Sequence, residues 1–157
     1  MLVIHWAKQN QTNTILANGI RPAARRDREA GGPVNARGVY VYPFSRNKTL
    51  IGNWRRNLKK WDAKRGNYNG FIIRLKDEDF PLMAGFWYVN RADPEQAKIE
   101  SMQELAEKYG DFFSGEIVNK PDDGFTNDWN EFEIILLQYV EPRRIIKVIK
   151  DREPRTK

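Results

Sequence analysis

Cysteine is absent from this 157-residue chain, and histidine occurs once. Without thiols there is no disulfide, no thiolate nucleophile and no zinc site built on cysteine, and nothing marks an oxidising compartment. A lone imidazole argues against a histidine-based metal centre, so no metal is expected. Long hydrophobic runs are missing as well. No stretch approaches the roughly 18 apolar residues of a membrane span. The opening residues, with Lys8 and Gln9 close behind a short apolar run, do not have the form of a secretory signal. The expectation is a cytoplasmic protein without a membrane partner. No internal repeat, low-complexity tract or linker divides the chain.

What is present is ample apolar material and a surplus of positive charge. Hydrophobic residues make up 40% and aromatics 12%, enough for a single domain over 1–157. Such a chain buries roughly two-thirds of the surface it exposes when extended. The net charge is +6 and the pI about 9.6. The surplus is clustered at Arg21 to Arg28, Arg55 to Arg65 and Arg143 to Lys157. Basic clusters attract polyanions, which points to nucleic acid or a nucleotide, although a solvated surface that keeps the protein soluble has the same composition.

Along the chain, Leu2 to Trp6 reads as a short apolar strand with His5 at its exit. Gln9 to Asn18 follows as a helix, capped by Asn10 or Thr12 and turning Ile15 and Leu16 inward. Gly19 fits a left-handed helix end, and Pro22 prevents the helix from resuming. Residues 23–37 lack periodicity and carry Gly31-Gly32-Pro33, a long loop of the kind that serves as a lid or binding segment. Gly38 then opens a β-rich run that sets Tyr40 and Tyr42 on one face.

Leu50, Ile51, Trp54, Leu58 and Trp61 form one stripe of an amphipathic helix between about Ser45 and Gly66. Phe71, Ile73 and Leu75 alternate with Ile72, Arg74 and Lys76, a strand half open to water. A turn at Asp77 to Pro81 and a strand at Gly85 to Val89 come next. A helix runs from Asp93 or Pro94 to Lys108, stopped by Gly110. Residues 116–118 suit a short strand. Finally, Glu131-Phe132-Glu133 opens an apolar, β-prone run to Val140, read as a central strand buried on both faces. Pro142 breaks it, and Ile145 to Ile149 is the last strand.

Singly, these features are weak: a lone histidine near a strand end is more often a packing residue, and acids at a strand mouth are more often simply solvated. Their order is more specific. His5, then Ile15-Leu16 and Gly19-Ile20, then Gly38-Val39-Tyr40, and last Glu133 before Ile134-Ile135-Leu136 resemble the ADP-ribosyltransferases. The similarity is closest to the histidine-tyrosine-glutamate branch of the poly(ADP-ribose) polymerases and diphtheria toxin.

The resemblance implies an α+β fold of two packed, mostly antiparallel sheets, a split β-sandwich with flanking helices. It implies an enzyme that uses NAD as substrate and transfers ADP-ribose to a macromolecular acceptor. Nucleic acid is favoured over protein by the basic clusters, and the small size suits an intracellular toxin or effector with an inhibitory partner protein. In that reading His5 holds a ribose by hydrogen bonding, Tyr40 stacks on nicotinamide and Glu133 is the catalytic acid. Glu131, two residues earlier, matches the first acid of the Glu-x-Glu toxins that modify arginine. Trp6 offers backbone groups to nicotinamide where the polymerases have glycine. Trp54 would be a second aromatic near nicotinamide, and Arg25, Arg26 or Arg28 would meet the pyrophosphate. Two alternatives stay open: an NAD-dependent RNA 2′-phosphotransferase, and a non-catalytic nucleic-acid-binding module on a decayed transferase fold.

Overall fold

The computed structural model describes residues 1–23, 37–44, 68–86, 94–113 and 132–150. In chain order these form β1 (Leu2–Lys8), α1 (Thr12–Asn18), β2 (Val39–Pro43), β3 (Tyr68–Arg74) and β4 (Leu82–Phe86). They continue with α2 (Pro94–Ala97), β5 (Lys98–Ile99), α3 (Met102–Phe113), β6 (Phe132–Leu136) and β7 (Ile145–Ile149). Short 3-10 turns at Gln9–Gln11, Asp77–Asp79 and Pro142–Arg144 precede α1, β4 and β7.

The strands make a seven-stranded sheet in the order β5-β4-β6-β2-β1-β3-β7, with every pairing antiparallel. The joint between β1 and β2 is short. β1 pairs with β3 along its whole length, from Leu2 opposite Arg74 to Lys8 opposite Tyr68. Against β2 it pairs only at Val3 with Pro43 and Ile4 with Tyr42. Beyond Ile4 the two strands part, so the sheet forks into β1-β3-β7 on one side and β2-β6-β4-β5 on the other.

Strand alternation sorts the side chains. Val3, Ala7, Val39, Val41, Phe71, Ile73, Ala84, Phe132, Ile134 and Leu136 face the main core, where Ile15 of α1 and Leu105 of α3 pack on them. Phe132 meets Tyr109 of α3 edge-on, ring centres 4.8 Å apart. A second, smaller cluster on the other face joins Met83, Ile135, Tyr40 and Ala97 of α2. β6 is buried at all five positions, as expected of a strand between β4 and β2.

Several local expectations are corrected. β1 runs on to Lys8, so His5 lies within the strand and not at its exit, because the ladder to β3 continues after that to β2 stops. Ile15 is buried but Leu16 is 45% exposed: neighbouring positions of a helix diverge by about 100°, and this seven-residue helix covers the core with one of them. Ile72 is buried as well, so the face of β3 expected to meet water is covered at that position. The strand expected at Gly85 begins earlier, at Leu82.

The helix expected from Pro94 to Lys108 is two helices. Lys98 and Ile99 leave the helical path to pair with Met83 and Leu82, burying Ile99 completely. Ser101 restarts the helix by accepting a hydrogen bond from the Glu104 amide at 3.1 Å, while the Glu104 carboxylate accepts one from the Glu100 amide at 2.7 Å. Gly110 does not end α3, which reaches Phe113; an interior glycine costs only about 1 kcal/mol relative to alanine.

Candidate functional site

The fork between β1 and β2 is where the sole histidine lies. Its Nδ1 is 2.8 Å from the backbone oxygen of Tyr40 on β2. A carbonyl can only accept, so Nδ1 carries the proton of this bond, and in the neutral ring the lone pair is left on Nε2. The imidazole thus supplies a cross-strand bond at the place where the backbone ladder has ended. The protein packed around the ring lowers its pKa from the usual 6.5, and the bond to Tyr40 opposes that shift less strongly. Near neutral pH the ring is uncharged, with an acceptor at Nε2.

Glu133 is 2% exposed, in the middle of the central strand. A carboxylate buried to that degree is rare. It faces Gly85 on β4. Tyr40 is opposite Ile135 on the neighbouring strand, so Tyr40 and Glu133 share a face as diagonal neighbours, about 7 Å apart between backbones. That face also carries Tyr42, in register with Ile4.

Trp6 has the same parity as Ile4 and is opposite Gly70. A side chain at Gly70 would come within 3.0 Å of the Trp6 ring and 2.6 Å of Ile4, so the missing Cβ lets both lie against β3. The indole N–H of Trp6 is buried with no hydrogen-bond partner among the described residues.

His5 and Tyr40 are therefore brought together directly, and Tyr40 and Glu133 through the β2–β6 ladder. The side chain of His5 has the parity of Val3 and Phe71, opposite to that of Tyr40 and Glu133. The fork, and not a common sheet face, is the link between the imidazole and the other two. Glu131, Trp54, Arg25, Arg26 and Arg28, the helix of 45–66, the loop beyond residue 23 and the strand at 116–118 lie outside the described residues.

Tyr42 is the residue of this face to which the sequence assigned no role. Its signal was the two-residue spacing from Tyr40. Two members of the last basic run are engaged by carboxylates: Arg143 pairs with Glu141, and Arg144 with the distant Asp79. Among the described residues no cluster of three or more acids or histidines could hold a metal, and no helix is long and apolar enough to cross a membrane. No family model and no curated protein matches the chain.

Proposed function

We propose that this protein transfers ADP-ribose from NAD to a macromolecular acceptor, nucleic acid in preference to protein. The observation that carries the reading is the buried carboxylate of Glu133 on the central strand, on the same face as Tyr40, whose own carbonyl holds the His5 ring. The two half-sheets joined by only two residue pairs support the split architecture of the resembled family.

In this reading the bond between ribose C1′ and the nicotinamide nitrogen breaks with its electron pair leaving on nicotinamide. Positive charge grows on the ribose, and the fixed carboxylate of Glu133 stabilises it. The acceptor bonds to C1′ and gives up its proton, for which Glu133 is the nearby base. His5, with Nδ1–H committed to Tyr40, accepts from a ribose hydroxyl at Nε2. The Tyr40 ring supplies a flat apolar surface and an electron-rich face for the cationic nicotinamide ring.

The test is labelled NAD incubated with cell extract and either wild type or Glu133→Gln. Wild type should label material that nuclease releases, and the variant should label about 100-fold less. Equal labelling from both, or none from wild type, would refute the proposal; label removed by protease alone would move the acceptor to protein.

A further inference from the structure

The flank of β2 that β1 leaves is taken up by a third segment. Along it, Tyr42 is opposite Ile4, the Tyr40 carbonyl takes the His5 ring, and Gly38 exchanges both backbone bonds with Ala23, at 3.0 and 3.1 Å. Residues 20–23, just past α1, are thereby held beside β2, and Ile20 bridges in turn to Val140 through two bonds of 2.9 Å. Ile20 and Val140 are buried in the main core, while the residues next to them, Arg21 and Tyr139, are exposed.

Tyr139 is not a loose surface ring. Its hydroxyl donates to the Asn18 carbonyl, and a Cβ at Gly19 would come within 2.9 Å of the ring, so the glycine lets the ring lie on the helix end. It is still 44% exposed. A ring with a fixed place and an open surface lowers the ordering cost of whatever stacks on it. Arg37 lies against the same segment, its Nε donating to the Pro22 carbonyl at 3.3 Å. Among the described residues, neither the Arg21 guanidinium nor the Nη groups of Arg37 meet an acid, and Glu141, two residues from Tyr139, is taken by Arg143.

Two uncompensated guanidinium groups beside a fixed, part-exposed aromatic ring suit a single strand of nucleic acid. Guanidinium forks fit phosphate oxygens bidentately, and every unpaired base has a face that stacks. A duplex keeps its bases stacked on one another, and an acidic peptide would leave the ring idle.

We infer that Arg21, Arg37 and Tyr139 form a docking surface for single-stranded nucleic acid, with a base on the Tyr139 ring and phosphates on the two arginines. Gly38 is two residues along β2 from Tyr40, a distance of about 7 Å, so a strand held there reaches the fork. The inference rests on the proposed transfer for its catalytic meaning, as the surface that presents the acceptor, but the binding itself needs no NAD.

Fluorescence anisotropy of a dye-labelled strand of about 12 nucleotides, made as DNA and as RNA, tests it on the full chain. Wild type should bind at least one of the two, and more tightly than the same sequence as a duplex. Arg21→Gln/Arg37→Gln should weaken binding about 10-fold or more at low salt and reduce the slope of log affinity against log salt by about 1.4, the share of two phosphates in a single strand. Tyr139→Leu should weaken it about 5- to 100-fold with the slope unchanged, and Tyr139→Phe, which keeps the ring, by no more than about threefold. Lys147→Gln, which removes an exposed charge on β7, should bind within about twofold of wild type. No binding by wild type, a Tyr139→Leu variant that binds like wild type, a Lys147→Gln variant as weak as the arginine pair, or duplex bound as tightly as single strand overturns the inference. So does displacement of the strand by polyglutamate at equal charge, which would make an acidic protein the partner. Strand binding through these residues in a protein that never turns over NAD would sink the transferase reading and leave the surface standing. Transfer to nucleic acid undiminished in Tyr139→Leu and in the arginine pair would do the reverse.

Discussion

Replacing Arg144 by methionine should remove about 3 kcal/mol of stability. The Asp79 carboxylate is in the 3-10 turn between β3 and β4, 5% exposed, and Arg144 meets it from the turn before β7. The contact is bidentate, Nη1 to Oδ1 at 2.5 Å and Nη2 to Oδ2 at 2.7 Å. Nη2 also donates to the Arg74 carbonyl at 2.7 Å, and the Lys76 amide donates to Oδ2 at 2.7 Å. Asp79 beside it raises the Arg144 pKa further above its usual value.

Removing one partner of a buried pair costs about 3–5 kcal/mol, because the other charge is left uncompensated. The lower end applies here, since Nε of Arg144 is itself buried without a partner among the described residues. Asp79→Asn should cost less, about 1–2 kcal/mol, because the freed guanidinium can extend to water while a short buried carboxylate cannot. The double variant Arg144→Met/Asp79→Leu should return to within about 1 kcal/mol of wild type.

Urea unfolding with an unchanged m-value is the measurement, and the midpoint of thermal unfolding of Arg144→Met should fall by about 6–12 °C. A loss below about 1 kcal/mol, or a double variant as weak as the sum of the singles, would refute the argument that burial makes this pair matter.

Two further predictions concern the elements around the fork. The lowered His5 pKa means that between its folded value and 6.5 the unfolded chain binds a proton that the folded one does not. Stability relative to His5→Gln should therefore be full above pH 6.5, fall as the pH drops below it, and level off beneath the folded value; a difference that rises on acidification would contradict the placement of the ring. Gly19 ends α1 at φ 75°, and a Cβ there would lie 2.2 Å from the Val140 carbonyl oxygen. Gly19→Ala should cost about 2 kcal/mol or more in urea unfolding, through both backbone strain and that contact, and a neutral result would mean the approach of Gly19 to Val140 is looser than described.

The strands were legible where both faces had one fate. The apolar run from Phe132, interrupted only by Glu133, marks a strand enclosed on both sides, and its place between β4 and β2 agrees, although it ends at Leu136 and not at Val140. The turn at Gly19 was legible because a helix end followed by Gly-Ile-Arg-Pro has few other solutions, although its ψ of −166° is not that of a left-handed helix. What the local pattern could not show were choices made by distant partners. Ile99 reads as one more inward helical position, yet an open edge of β4 draws it into the sheet. Arg144 reads as one of a basic run, and only the approach of the Asp79 turn converts it from a surface charge into half of a buried pair.

The same distinction governs the site. Alternation alone places Tyr40 and Tyr42 together, and Glu133 of β6 follows by register; these are statements about strands that any antiparallel ladder would honour. The role of His5 depends on something no periodicity encodes, the loss of pairing after Ile4. Had β1 and β2 stayed paired to the end, the Tyr40 carbonyl could have belonged to the ladder and the imidazole to the core beside Phe71. Because they part, a side chain takes over a backbone bond, and its tautomer is set by that bond. A single substitution that returned the Tyr40 carbonyl to the ladder would thus release the Nδ1–H bond that leaves the lone pair on Nε2.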